Sequence, residues 1–176
     1  MRPEPGCGLC GLCKGRTNIV LPDGDSSSGI VLVGEAPGEN EDLEGRPFVG
    51  RSGKILDAML SDAGIDRGRI LITNTVKCRP PGNRDPTREE MEACRPFLDS
   101  ELRDARLVVG LGKSACRDLM GFEGRMNDIV NVPTTIRVGD RDVPFIPTYH
   151  PAATIYNKVS RAELRRTMEI IAEDYL

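Results

Sequence analysis

With 176 residues, 39% hydrophobic and 29% charged, the chain has the size and composition of one soluble globular domain spanning residues 1–176. No apolar run approaches the roughly 18 residues that span a bilayer and no signal-peptide core opens the sequence, so a membrane partner is excluded and a cytoplasmic location is expected. The net charge of −3 excludes a uniformly basic nucleic-acid-binding surface, though not local basic stretches.

The chain opens with "CGLCGLCKGRT", residues 7–17. Six cysteines without a secretion signal argue for metal binding over a disulfide framework. Cys7, Cys10 and Cys13 resemble the start of a metal site, but Thr17 stands where a compact ferredoxin run needs its fourth cysteine. Residues 23–29, "DGDSSSG", read as a flexible connection. The apolar, β-branched run "IVLVG" at 30–34 then predicts a strand covered on both faces.

Ile55, Leu56, Met59, Leu60 and Ala63 recur at helical spacing, with Gly64 placed to end that helix. A second strand is expected at 70–73, "ILIT". Thr87 and Glu90 form a capping-box pattern before a helix that Pro96 should kink. "LVVG" at 107–110 reads as a third strand, a short helix follows Gly112, and "VPFIPT" at 143–148 reads as a fourth strand. Ser160 and Glu163 repeat the capping pattern before the last helix. This alternation predicts a three-layer α/β/α domain around a central, mostly parallel, four-stranded sheet.

Functional residues of such a sheet collect in loops at the carboxyl ends of its strands. No P-loop or G-x-G-x-x-G fingerprint occurs there: "GKS" at 112–114 lacks its leading glycine, which excludes a nucleotide cofactor. The loops instead carry "GEAPGENED", "TNTVKCRPPGNRDP", "GLGKSAC" and "TYHPAA". His150, the only histidine, follows the fourth strand, and Asn74 holds the matching place after the second. An asparagine offers both a donor and an acceptor, as recognition of a planar amide edge requires, or it can serve its own turn. Phe48, in "GRPFVG", is either a stacking platform or core. Basic stretches at 46–54, 75–88 and 158–166 would make a phosphate-binding face if the fold gathers them.

In order and spacing, "GEAPGENEDLEGRPFVGRSGKIL", "ITNTVKCRPPGNRDPT" and "PTYHPA" resemble the family 4 uracil-DNA glycosylases that carry an iron–sulfur cluster. The resemblance runs from Cys7 to about Asn157. It implies the uracil-glycosylase fold and a monomer acting on uracil-containing DNA. It also implies monofunctional hydrolysis of the N-glycosidic bond of a flipped uracil, leaving an abasic site for base excision repair. By resemblance, Phe48 stacks on the flipped ring, Asn74 reads the uracil edge, and His150 donates a hydrogen bond to the departing uracil anion. Gly34, Glu35 and Ala36 fall in the motif beside base and sugar, and Glu35 is a pocket residue first and a water activator second.

Arg46, Arg51, Lys54, Lys77, Arg79 and Arg84 are then expected on the DNA backbone, with Ile155 or Tyr156 as the wedge in the vacated stack. The family's cysteine pattern falls on Cys7, Cys10, Cys78 and Cys94, leaving Cys13 spare and Cys116 a buried apolar residue. Spacing alone slightly favours zinc; the resemblance implies a [4Fe–4S] cluster. A non-catalytic iron–sulfur or zinc module that binds nucleic acid, or an electron-transfer protein, would use the cysteines without needing Phe48, Asn74 or His150.

Overall fold

The computed structural model describes all of residues 1–176. Its centre is a six-stranded sheet in the order β1-β3-β2-β4-β6-β5, made of β1 (Asp23–Gly24), β2 (Ile30–Gly34), β3 (Leu71–Asn74), β4 (Leu107–Leu111), β5 (Thr134–Val138) and β6 (Arg141–Thr148). The inner four strands run parallel and are the four that the apolar runs predict. The sheet is two strands wider than expected, because β1 and β5 add antiparallel edges. β5 joins β6 through a hairpin turning at Gly139 and Asp140. The "DGDSSSG" segment is not a loose connection. It starts with β1, and the Asp25 carboxylate accepts the Ser27 amide at 2.9 Å.

Alternation along the buried strands sends side chains to both faces. Ile30, Leu32, Ile72 and Val109 pack beneath α2 (Arg51–Asp62) and α6 (Lys158–Asp174) through Leu56, Leu60, Leu164 and Met168. Val31, Val33 and Val108 face Leu98 and Leu102 of α3 (Arg88–Leu102) and Ala115 and Leu119 of α4 (Lys113–Met120). The three layers are therefore as expected. The two remaining helices are short: α1 (Glu39–Glu44) and α5 (Met126–Ile129). No helix is long and apolar enough to cross a membrane.

α2 ends at Gly64 in the left-handed region, with Ile65 N–H donating to Leu60 O at 2.8 Å. α3 begins with the Thr87–Glu90 capping box, but it runs unbroken past Pro96 to Leu102. The predicted box at Ser160–Glu163 does not form. α6 starts three residues earlier, and the Asn157 side chain accepts the Ser160 amide at 3.0 Å. Glu163 instead accepts a bond from Asn131 at 2.9 Å.

A third, smaller apolar cluster lies beyond the sheet end, where Leu12, Val76, Met91 and Phe97 enclose Cys78 and Cys94. The N-terminal segment reaches it across the surface. Arg16 Nη1 donates to Cys7 O at 2.7 Å, and the buried Asp42 carboxylate accepts the Thr17 and Asn18 amides at 2.9 and 3.2 Å.

Candidate active site

A cleft of about 610 Å³ opens at the carboxyl ends of β2, β3 and β6. Its walls include Glu35, Phe48, Asn74 and His150, four residues from four separate segments. Local backbone geometry explains the convergence. Phe48 is buried with φ of 52°, a left-handed conformation unusual for a bulky residue. Two bonds from Arg67 hold it there, Nη1 to Phe48 O at 2.9 Å and Nη2 to Pro47 O at 2.7 Å. Gly53, in the first turn of α2, lets the helix abut that turn, since a Cβ there would overlap the Phe48 carbonyl.

Gly34, the last residue of β2, forms the floor. A Cβ on it would lie 2.5 Å from Phe48 Cζ and 2.6 Å from Asn74 Oδ1, so those side chains meet only over a bare glycine. Asn74 is 4% exposed, and its Oδ1 is buried without a hydrogen-bond partner. Such an orphaned acceptor costs about 1–3 kcal/mol unless a ligand satisfies it.

His150 stands across from Phe48, with ring centroids 5.6 Å apart and planes tilted by 30°. Gly112 allows the approach, since a Cβ there would lie 2.9 Å from His150 Cβ. His150 Nδ1 accepts the Ala152 amide at 3.1 Å, which puts the single imidazole proton on Nε2. Burial pushes the ring's pKa down to about 4, so His150 is a neutral donor at pH 7. Burial pushes Glu35 the other way, up to about 7; the Ser114 hydroxyl opposes this and the neighbouring Asp85 carboxyl reinforces it.

Of the other expected pocket residues, Ala36 lines the cleft. Among the expected DNA contacts, Arg51 and Arg84 line the cleft, while Arg46, Lys54, Arg79 and Ile155 lie outside its walls. Arg46 is paired with Asp23 at 2.9 Å, and Arg84 grips Glu90 at 2.7 and 3.0 Å. Arg79 donates to Asn83 Oδ1 at 2.7 Å. Ile155 is half-buried, whereas Tyr156 beside it is 92% exposed.

Lys77 corrects the expectation of a DNA contact. It is 1% exposed and salt-bridged to Glu101 at 2.8 Å, so it offers DNA no charge. Of the middle basic stretch only Lys77 is taken inside; Arg79 is half-buried, and Arg84 and Arg88 stay exposed. Sequence reasoning misses Asn83 on the cleft wall, and Ser114 and Asp85 beside Glu35. Asn83, with φ of 56°, sits in a Pro-Pro-Gly-Asn turn whose composition signals a loop and nothing about its direction.

A separate, largely apolar cavity is lined by Cys7, Cys10, Cys78 and Cys94 together with Arg16 and Lys77. Cys13, in a 3₁₀ turn at Gly11–Lys14, is not in its wall, and Cys116 is buried in the core among α4 neighbours. No three of the cysteines close tightly enough to grip a single ion. Burial pushes the Cys94 thiol up to about 11 and raises Cys78.

Residues 21–172 match the family described as the Uracil DNA glycosylase superfamily. The chain is 41% identical over 174 residues to a type-4 uracil-DNA glycosylase of Sulfurisphaera tokodaii, covering 95% of this chain and 79% of that one. It is 42% identical over 172 residues to the type-4 uracil-DNA glycosylase of Thermotoga maritima, covering 96% and 85%. A type-5 uracil-DNA glycosylase of Pyrobaculum aerophilum is 30% identical over 177 residues, covering 88% and 72%. With near-complete coverage by these relatives, the chain belongs to the uracil-DNA glycosylase superfamily, among its type-4 members.

Proposed function

We propose that this protein excises uracil from DNA by hydrolysing its N-glycosidic bond, with Phe48, Asn74 and His150 as the base-binding residues. The observation that carries this reading is the orphaned Asn74 Oδ1, buried on the floor of the cleft. Uracil presents there an N3–H for that oxygen and an O4 for the amide nitrogen; cytosine presents the reverse pattern and is rejected. Phe48 covers the ring from its strained turn. As the glycosidic bond breaks, negative charge spreads onto the uracil oxygens, and His150 Nε2–H donates to one of them. A neutral donor suits this role, because its bond strengthens as the anion forms and no proton has to be lost first.

Glu35 lies beside Asp85 with its proton affinity raised into the neutral range. Its carboxylate takes a proton from the attacking water at the sugar carbon. Exposed Arg51 and Lys54 on the first turn of α2 meet the DNA backbone, and Ile155 or Tyr156, shortly after Ala153 of the cleft wall, fills the vacated stack.

Cys7, Cys10, Cys78 and Cys94 would hold a [4Fe–4S] cluster. The residues fit such a group: four thiols line one largely apolar cavity. When bound, the cluster supplies a structural tie between the N-terminal segment and the loop after β3. The alternative, a non-catalytic nucleic-acid module, leaves the orphaned Asn74 amide and the strained Phe48 without a use.

Incubation with a uracil-containing oligonucleotide, followed by alkaline cleavage, tests the proposal. Strand breaks at uracil that Asn74→Ala abolishes are expected; no breaks on single- or double-stranded substrate would overturn it.

A further inference from the structure

Lys77 is among the largest fully buried side chains of the protein, and the reaction does not use it. Its ammonium spends all three hydrogens inside the protein: on Thr73 Oγ1 at 2.6 Å, on the main-chain oxygen of Asn74 at 2.7 Å and on Glu101 Oε2 at 2.8 Å. Thr73 completes the ring by donating to the same Glu101 oxygen at 2.8 Å. A buried ion pair is a poor way to gain stability, since well-packed apolar side chains of similar volume serve as well or better. The location of this one indicates another use.

β1 pairs with β3 only at Leu71 and Ile72, so beyond Ile72 that side of β3 has no neighbouring strand. The Thr75 amide bonds across to Gly34 O at 3.0 Å, which turns the preceding carbonyl, that of Asn74, toward the strandless side. Lys77 fills the gap and takes the bond that a strand would have made. The main chain of Lys77 is fixed as well: its carbonyl accepts the Val20 amide at 2.8 Å.

We propose that Lys77 is a positioning residue for base recognition: by clamping the main chain of Asn74 against the wall of the four-cysteine cavity, it fixes the amide that reads uracil. This rests on the assignment of Asn74 to the uracil edge. The side-chain amide of Asn74 has no protein partner at Oδ1, so its orientation is set by the backbone from which it projects. A main chain released at its carbonyl lets the amide drift away from the plane of the base.

The test separates this role from a structural one. Lys77→Met alone leaves Glu101 facing the core uncompensated and is expected to lower the melting temperature. The double variant Lys77→Met/Glu101→Leu removes both charges and is expected to recover most of that loss. Binding of free uracil by titration calorimetry is then measured, with binding to abasic-site DNA by fluorescence anisotropy and iron content per chain. The double variant is expected to bind free uracil at least about tenfold more weakly than wild type, as loss of one well-placed hydrogen bond implies, with abasic-DNA affinity and iron content unchanged. Wild-type uracil affinity in the double variant overturns the proposal, and so does loss of iron, which would assign Lys77 to the cysteine site instead. Asn74→Ala is measured in parallel. If it too retains wild-type uracil affinity, the assignment of Asn74 fails; if only the double variant does, Lys77 alone is misassigned.

Discussion

Replacing Gly34 by alanine tests the pocket with a single methyl group. That carbon would lie 2.5 Å from Phe48 Cζ and 2.6 Å from Asn74 Oδ1, where 3.0 Å is the closest that real Cβ atoms approach. Ring and amide must each retreat by roughly half an ångström to reach that limit, and by about 1 Å for ordinary contact. Overpacking of this size costs about 1–3 kcal/mol of stability. Because Gly34 lies in a strand, not at positive φ, the loss of unfolded-chain freedom returns about 0.4–1 kcal/mol. The fold should survive. Catalysis should not, since a displacement near 1 Å at two base-contacting groups is expected to lower kcat/KM by about 10²-fold.

Gly110 provides a matched control. It lies on β4, and a Cβ there would stand 2.5 Å from Phe145 Cζ and 3.0 Å from Cys116 Sγ, away from the cleft. Single-turnover excision and urea unfolding should therefore show Gly110→Ala destabilised to a similar extent yet active, and Gly34→Ala destabilised and nearly inactive. Equal activity losses in the two variants, or wild-type excision by Gly34→Ala, would refute the reasoning.

The excision rate should rise with pH through about 7 as Glu35 ionises, and Glu35→Gln should flatten that limb; Asp85→Asn should move the midpoint down but keep it above 4.5, because burial is the larger cause. His150 has a folded pKa of about 4 against an ordinary 6.5, so the unfolded chain binds its proton first. Its contribution is intact above pH 6.5 and is lost as pH falls toward 4, a difference of about 3 kcal/mol that urea midpoints of wild type against His150→Gln should report. Cys13→Ser should keep the visible absorbance of the proposed cluster, whereas Cys94→Ser should lose it along with protection of residues 7–17 from protease.

The four inner strands are legible because burial on two faces leaves runs such as "IVLVG" with no polar residue to confuse the period, and the four core-facing helices show in apolar spacing and end signals. β1 has two residues and leaves no pattern. β5 carries a half-exposed alternation and a Gly-Asp turn, which is a readable hairpin signal that its polar threonines and arginine obscure. In the site, residue types point to Phe48, Asn74 and His150, but what tunes them is tertiary. The His150 tautomer depends on the Ala152 amide, and the Glu35 proton depends on Asp85 fifty positions away. Lys77 reads as a surface residue because lysines usually are; its partner Glu101 lies on α3, and nothing in the local sequence announces the pairing.

The divided cysteine cavity also sets an order of assembly. Cys7 and Cys10 leave the ribosome first, and roughly 80 residues must follow before Cys94 emerges, on the order of ten seconds of synthesis. By then β2 and β3 are both made and can pair, while the two leading thiols remain undocked and open to oxidation. Docking of residues 7–17 thus waits on α3, which carries Cys94. If the four thiols hold the proposed cluster, shortage of iron or oxidation of these thiols would leave that segment undocked.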